Sequence, residues 1–211
     1  MQLKRIIAVL VLFLAGSGLM GCHDESLSVA NEVKVENQTF DVITQMLLES
    51  APLEADSLMM AVSLPSQEQY EIQLIVEEYE NGKLMNSEPV VTSITDEITE
   101  DSLIYLIIHA GINETGSRFA IAETHSDTGF VISSALLPPI FNTSEDGRAQ
   151  ATVETDTKDV SDEMLLAVFV QFSSDTVSVY NLEEYEDRSL LLEYERAVLV
   201  KTAIKEGSST Y

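Results

Sequence analysis

Ile72-Gln73-Leu74-Ile75-Val76-Glu77-Glu78-Tyr79-Glu80-Asn81-Gly82-Lys83 is the stretch that decides the fold. Ile72, Leu74 and Val76 alternate with Gln73, Ile75 and Glu77. A period of two places alternate side chains on opposite faces, which predicts a half-buried strand. Asn81-Gly82 then supplies the strongest short-range hairpin signal, because a tight primed turn needs positive φ at both central residues.

The same pattern recurs outward from this hairpin. Leu103 to Ile108 is a continuous apolar run, as in a central strand. Phe119 and Ile121 face one way before a Ser126-Asp127-Thr128-Gly129 turn into Phe130 and Ile132. Met164 to Phe172 predicts another buried strand. Val177 and Val179 alternate, and Val198, Val200, Thr202 and Ile204 form a last strand. Pro138-Pro139 and the polar stretch Asn142 to Asp162 read as the main long loop. Thr39 to Ser50 fits a short helix, with Phe40, Ile43 and Leu47 on one face and Thr39 as N-cap. The Phe40-Val42 alternation offers a strand instead.

Many short strands with almost no helix predict a mainly β protein, an antiparallel β-sandwich with at most one short N-terminal helix. Repeated strand-hairpin units are one way of building it. Asp56 to Val62 aligns without gaps on Asp162 to Val168, and Glu77-Glu78-Tyr79-Glu80 falls on Glu183-Glu184-Tyr185-Glu186. Asp101-Ser102-Leu103-Ile104 begins a third similar unit. The expected organisation is residues 1–21 as export signal, 22–38 as acidic tether, 39–205 as the sandwich and 206–211 as a polar tail. The sandwich is either one domain or two closely packed repeats.

The N-terminus carries an address. Lys4 and Arg5 form a positive region, Ile6 to Leu14 is unbroken apolar sequence, and Ala15-Gly16-Ser17-Gly18 follows. That is the layout of an export signal. The run is short for a transmembrane helix, which needs about 20 apolar residues. Leu19-Met20-Gly21-Cys22 comes next and holds the chain's one cysteine. It resembles the lipobox of bacterial lipoproteins: an aliphatic residue three before the cysteine and a small residue just before it. Met20 departs from the usual smaller residue there.

The resemblance covers about the first 22 residues. It implies cleavage between Gly21 and Cys22 and a diacylglycerol on the Cys22 thiol. It implies membrane attachment through acyl chains. In a two-membrane host, Asp directly after the lipidated cysteine commonly retains a lipoprotein at the inner membrane. His23 holds that place and Asp24 follows. The implied destination is the outer membrane facing the periplasm, or the outer face of the cell membrane in a one-membrane host. The absence of further cysteines excludes a disulfide-built secreted scaffold.

Charge excludes other classes. The chain has 11 basic and 36 acidic residues. Loss of Lys4 and Arg5 with the signal leaves nine basic residues against 36 acidic ones, a net charge of −27. Nucleic acid is excluded as a direct partner, because phosphate binding needs Lys/Arg clusters. Docking on anionic lipid by charge is excluded too.

Candidates for chemistry are thin. His109 ends a strand and His125 lies near a turn, so the two are candidates to approach across a hairpin as zinc ligands. No His or Cys spacing fixes such a site. No Gly-x-Ser-x-Gly elbow is present. Carboxylates cluster at Asp96, Glu97, Glu100 and Asp101, and at Asp156, Asp159, Asp162 and Glu163. The second group is the best calcium candidate, yet it lacks the spacing of a calcium loop. Glu77-Glu78 and Glu183-Glu184 are carboxylate pairs of a kind used by glycosidases. Adjacent strand residues point to opposite faces, so neither pair makes a facing dyad by itself. No catalytic residue, metal site or cofactor is assigned.

The expected function is a lipid-anchored, non-catalytic binding or structural module of the cell envelope. Its partner is an envelope protein or polymer. The alternatives are a calcium-stabilised surface adhesion module and a periplasmic or surface hydrolase using carboxylates.

Overall fold

The computed structural model describes residues 31–38, 57–66, 68–99, 102–111, 116–125, 129–141, 147–172 and 178–207. They form two antiparallel sheets. The first joins β1 (Glu32–Asn37), β2 (Ser57–Ser63), β5 (Leu103–His109), β6 (Ser117–His125), β7 (Gly129–Leu137) and β9 (Thr155–Asp159). Its order is β7-β6-β5-β2-β1-β9. The second joins β3 (Tyr70–Glu80), β4 (Lys83–Ile94), β8 (Gly147–Thr152), β10 (Glu163–Phe172) and β11 (Arg196–Glu206), in the order β4-β3-β11-β10-β8. Two short 3₁₀ helices, η1 (Leu182–Glu186) and η2 (Arg188–Glu193), lie between β10 and β11.

The sheets pack face to face, as the alternation predicts. Ile72, Leu74 and Val76 of β3 are buried against Leu106 and Ile108 of β5 and Phe119 and Ile121 of β6 in one core. Val33 and Val35 of β1 complete it. The Asn81-Gly82 turn is present, with φ of 48° and 74°. Ile104 to Ile108 lies inside the first sheet, paired on both sides, and Leu103 pairs with β6 alone in the described register.

Both outer faces also carry apolar side chains. On the first sheet, Met59, Ile107 and Ala120 stand side by side across three strands. With Ala122 they are buried. On the second, Leu165, Val168 and Val170 of β10 and Leu199 of β11 are covered by Tyr185, Leu191 and Tyr194 from the segment 182–194. β10 and β11 are therefore buried on both faces, and Leu199 and Val200 are both fully inaccessible. That is why β10 reads as an unbroken apolar run.

Four expectations need correction. Residues 32–37, assigned to the tether, form β1, which pairs with β2 and β9. Val33 and Val35 alternate inward, but three charged residues in a six-residue strand hide that signal. The long loop at 142–162 contains β8 and β9. β9, Thr-Asp-Thr-Lys-Asp, is an edge strand with no fully buried residue, so no apolar alternation marks it. Residues 178–181 form no strand: Tyr180 and Asn181 lead into η1. The internal correspondence holds for β2 and β10 but then fails. Glu77 to Glu80 end strand β3, whereas Glu183 to Glu186 lie in η1. The expected helix at Thr39 to Ser50 lies outside the described residues.

Candidate functional site: an acidic groove beside a pinned strap

The segment 178–195 is a strap laid over the second sheet. Its sequence explains its shape. The Glu184 side chain accepts the Asn181 N–H at 2.8 Å, and Asp187 accepts the Ser189 N–H at 3.0 Å. These bonds satisfy donors that open helix ends leave free. The Ser189 bonds hold the exposed Asp187 carboxyl below its usual pKa.

Underneath runs a chain of tyrosines. The Tyr180 N–H donates to the Tyr185 hydroxyl at 3.4 Å. The Tyr185 and Tyr194 hydroxyls lie 2.9 Å apart, and Tyr194 donates onward to the Ser178 carbonyl at 2.6 Å. Each hydroxyl has one proton, so Tyr185 is the donor to Tyr194. Burial, then the bond to Tyr185, pushes the Tyr194 hydroxyl far above its ordinary value. Tyr180 caps the outside by donating to Glu193 at 2.9 Å.

Four of the chain's few cations fix this face and the end of the sandwich. Lys201 Nζ lies 2.5 Å from Glu77 and 3.1 Å from Glu163. Arg188 reaches Glu77 at 3.6 Å and also donates to the Tyr185 carbonyl. Tyr79 donates to the same carboxylate at 3.1 Å. Lys158 bonds Glu186 at 3.4 Å. Glu78, one residue on, points to the opposite face and meets Arg196 at 3.1 Å. The glycosidase-like pair is thus split between two faces, each member held by a cation.

Beside the strap runs a groove of about 640 Å³ between the β8–β9 arch and η1. Val153, Leu165 and Leu182 give it apolar surface, and Glu154, Asp156, Glu183 and Glu186 supply its carboxylates. Lys158 is its one cation. An acidic rim over an apolar floor suits a cationic, partly apolar chain.

The other candidates separate. His109 is buried at the end of β5, with Nδ1 2.9 Å from the Ser57 hydroxyl. It pairs across the hairpin with Arg118, whereas His125 pairs with Gly129 at the far end of β6. The seven positions between Arg118 and His125 span about 23 Å of strand. The expected approach of the two histidines is overturned, because both stand on one extended hairpin. Asp159, Asp162 and Glu163 line a shallow surface depression with Glu32. Among the described residues no group of three or more His, Cys, Asp or Glu side chains could hold a metal ion. Asp96 and Glu97 follow β4, while Glu100 and Asp101 lie outside the described residues, as do Gly21 and Cys22.

The family model of the YgaN domain matches residues 44–204. The chain belongs to the YgaN domain family. That match spans nearly all of the sandwich and excludes the N-terminal address and β1. No match was found among curated proteins or among solved structures.

Sequence reasoning found the acids and missed what pins them. Lys158, Arg188, Arg196 and Lys201 were the signal. In a chain with so few cations, four of them fall between residues 158 and 201.

Proposed function

We propose that this YgaN-domain protein is a lipid-anchored lipoprotein of the bacterial cell envelope. In this reading it is a non-catalytic module that binds a cationic envelope protein or polymer along the acidic groove. One observation carries the anchor: the single cysteine of the chain closes Leu19-Met20-Gly21-Cys22 directly after an export-signal layout. Two or three acyl chains, at about 0.8 kcal/mol per buried CH₂, hold a protein where one chain does not. The domain's own charge offers no attraction to anionic lipid, so the acyl chains carry the attachment.

Support for binding rather than catalysis comes from how the inner carboxylates are used. Glu77 and Glu78 face apart, and each is neutralised by a nearby cation. A glycosidase dyad needs two carboxyls facing one bond at about 5–9.5 Å. The groove, by contrast, presents its acids outward from the β8–β9 arch and η1.

The test has two arms. Fractionation of cells carrying Cys22→Ser should move the protein from membrane to soluble fraction or leave it unprocessed. Unchanged membrane partitioning of a Cys22→Ser chain that has lost its signal would remove the anchor. Oligolysine titrated onto the full chain should bind with a strong salt dependence, weakened by Glu183→Lys with Glu186→Lys. Equal binding by that variant would remove the groove.

A further inference from the structure

The four edge strands differ in one respect. β9 carries Asp156, Lys158 and Asp159; β8 carries Arg148; β4 carries Lys83, Glu88 and Pro89 and pairs with β3 through two register shifts. Charges, prolines and irregularities are how natural sheets keep open edges from pairing with other chains. β7, Gly-Phe-Val-Ile-Ser-Ser-Ala-Leu-Leu, has none of them. It is nine residues long, and among the described residues its neighbour in the sheet is β6 alone. Val131, Ile132 and Leu136 on it are 54%, 42% and 69% exposed. β4 also exposes Leu84, Met85 and Ile94, but beside Lys83, Glu88 and Pro89; in a chain of net charge −25, β7 is the edge whose exposed apolar side chains stand without a charge or a proline in the strand.

We propose that β7 is a self-pairing edge: two copies of this chain join antiparallel through β7, with Ser134 on the two-fold axis, and continue the six-stranded sheet across the interface. The sequence is complementary to itself in that register. Ile132, Ser134 and Leu136 share the outer face, because they pair with Ala122, Ala120 and Arg118 of β6. Rotation about Ser134 sets Ile132 opposite Leu136 of the second copy, and Leu136 opposite its Ile132. On the inner face, Val131 meets Leu137 and Ser133 meets Ala135. No charge opposes another charge at any of these positions. Directly opposed apolar pairs are the unit of sheet stabilisation. Pro138 ends the paired stretch, since it has no N–H to donate. The outer apolar stripe of Met59, Ile107 and Ala120 leads to Ser134, so the new pairs extend a face that is already apolar.

Charge selects the same edge. Two strongly acidic bodies repel, and the repulsion between exposed charges is screened beyond about 8 Å at physiological ionic strength. Approach is least costly where the contacting strand carries no charge. Raising the salt concentration therefore favours the dimer.

Cysteine placement tests the register. In the full chain with Cys22→Ser, which removes the native thiol, Ser134→Cys puts two thiols opposite each other on the axis, within the roughly 4.4–6.8 Å Cα separation that a disulfide spans. Ile132→Cys alone leaves them four positions apart, about 13 Å. Mild oxidation should give a dimer-mass band for Ser134→Cys and for the double variant Ile132→Cys with Leu136→Cys. It should give none for Ile132→Cys alone or for the Cys22→Ser parent chain. Adding Leu136→Lys to Ser134→Cys should abolish the band, while Thr157→Lys on β9 should not. Circular dichroism checks that every variant is folded. Equal crosslinking at all positions would overturn the proposal, as would a folded Ser134→Cys chain that gives no dimer. Capture only of a chain of different mass would also overturn it, in favour of a foreign strand on this edge.

Discussion

Lys201 and Glu77 form the tightest ion pair among the described residues, 2.5 Å apart, with both side chains about nine-tenths inaccessible. The pair joins β11 to β3 beneath the strap. A charge left alone in such a place costs about 3–5 kcal/mol. The two partners are not equally dependent. Without Lys201, Glu77 keeps Arg188 and Tyr79. Without Glu77, Lys201 keeps only Glu163, whose side chain is half exposed. Chemical denaturation should therefore show Glu77→Leu to be more destabilising than Lys201→Met. The double variant should recover part of the loss. A double variant as unstable as the sum of the singles would contradict the pairing.

Alkaline pH should loosen the strap. Burial alone would push the Lys201 ammonium down, but the bonds from Glu77 and Glu163 more than reverse it and hold it above the usual lysine range. Tyr194 is raised by burial and by Tyr185. Both groups therefore bind their protons more tightly folded than unfolded. Their contribution is complete below the unfolded values, about 10 for Tyr and 10.4 for Lys, and is lost as pH rises beyond them. Thermal melts should be insensitive to these two groups near neutrality and fall steeply above about pH 10. Ultraviolet titration should show buried tyrosines, Tyr70, Tyr79 and Tyr194 among them, ionising late, and Tyr194→Phe should remove one of them.

Tyr70 is fully buried in the inter-sheet core, and its hydroxyl has no hydrogen-bond partner among the described residues. A buried polar group without a partner costs about 1–3 kcal/mol. Tyr70→Phe removes the hydroxyl and keeps the ring. Its melting temperature should rise. A fall would mean that the hydroxyl is engaged in the native state.

Gly82 at the β3–β4 turn has φ of 74°, and a Cβ there would lie 2.4 Å from the Leu192 side chain and 3.0 Å from its Cα. The turn and η2 are thus packed against each other. Gly82→Ala meets both a backbone it disfavours and a backbone atom it crowds. The loss should exceed the roughly 1 kcal/mol of a simple glycine replacement. Adding Leu192→Ala should recover only the part due to its side chain.

The inner faces of β3, β5, β6 and β11 were legible because burial on one face writes itself as alternation: Ile72, Leu74 and Val76 are the clearest case. Elements with little burial were not legible. β9 has no fully buried side chain, and β1 has two among charges, so long-range pairing rather than local pattern makes them strands. The strap was misread because Glu183-Glu184-Tyr185-Glu186 copies the letters of Glu77-Glu78-Tyr79-Glu80. Identical letters end a strand in one place and form a 3₁₀ turn in the other, where Asn181 and Asp187 supply the caps. At the groove, the acids were visible in the sequence as general acidity. Only the tertiary arrangement, in which β8 pairs with β10 and η1 packs on β10, brings Glu154 and Asp156 of the β8–β9 arch beside Glu183 and Glu186 on one rim.

The most direct measurement is the intact mass of the protein isolated from membranes of cells that produce it. The account predicts a chain that begins at Cys22 and carries a diacylglycerol on its thiol, with or without a further acyl group on the amine. A chain that begins elsewhere, or one with a free Cys22 thiol, would contradict the account.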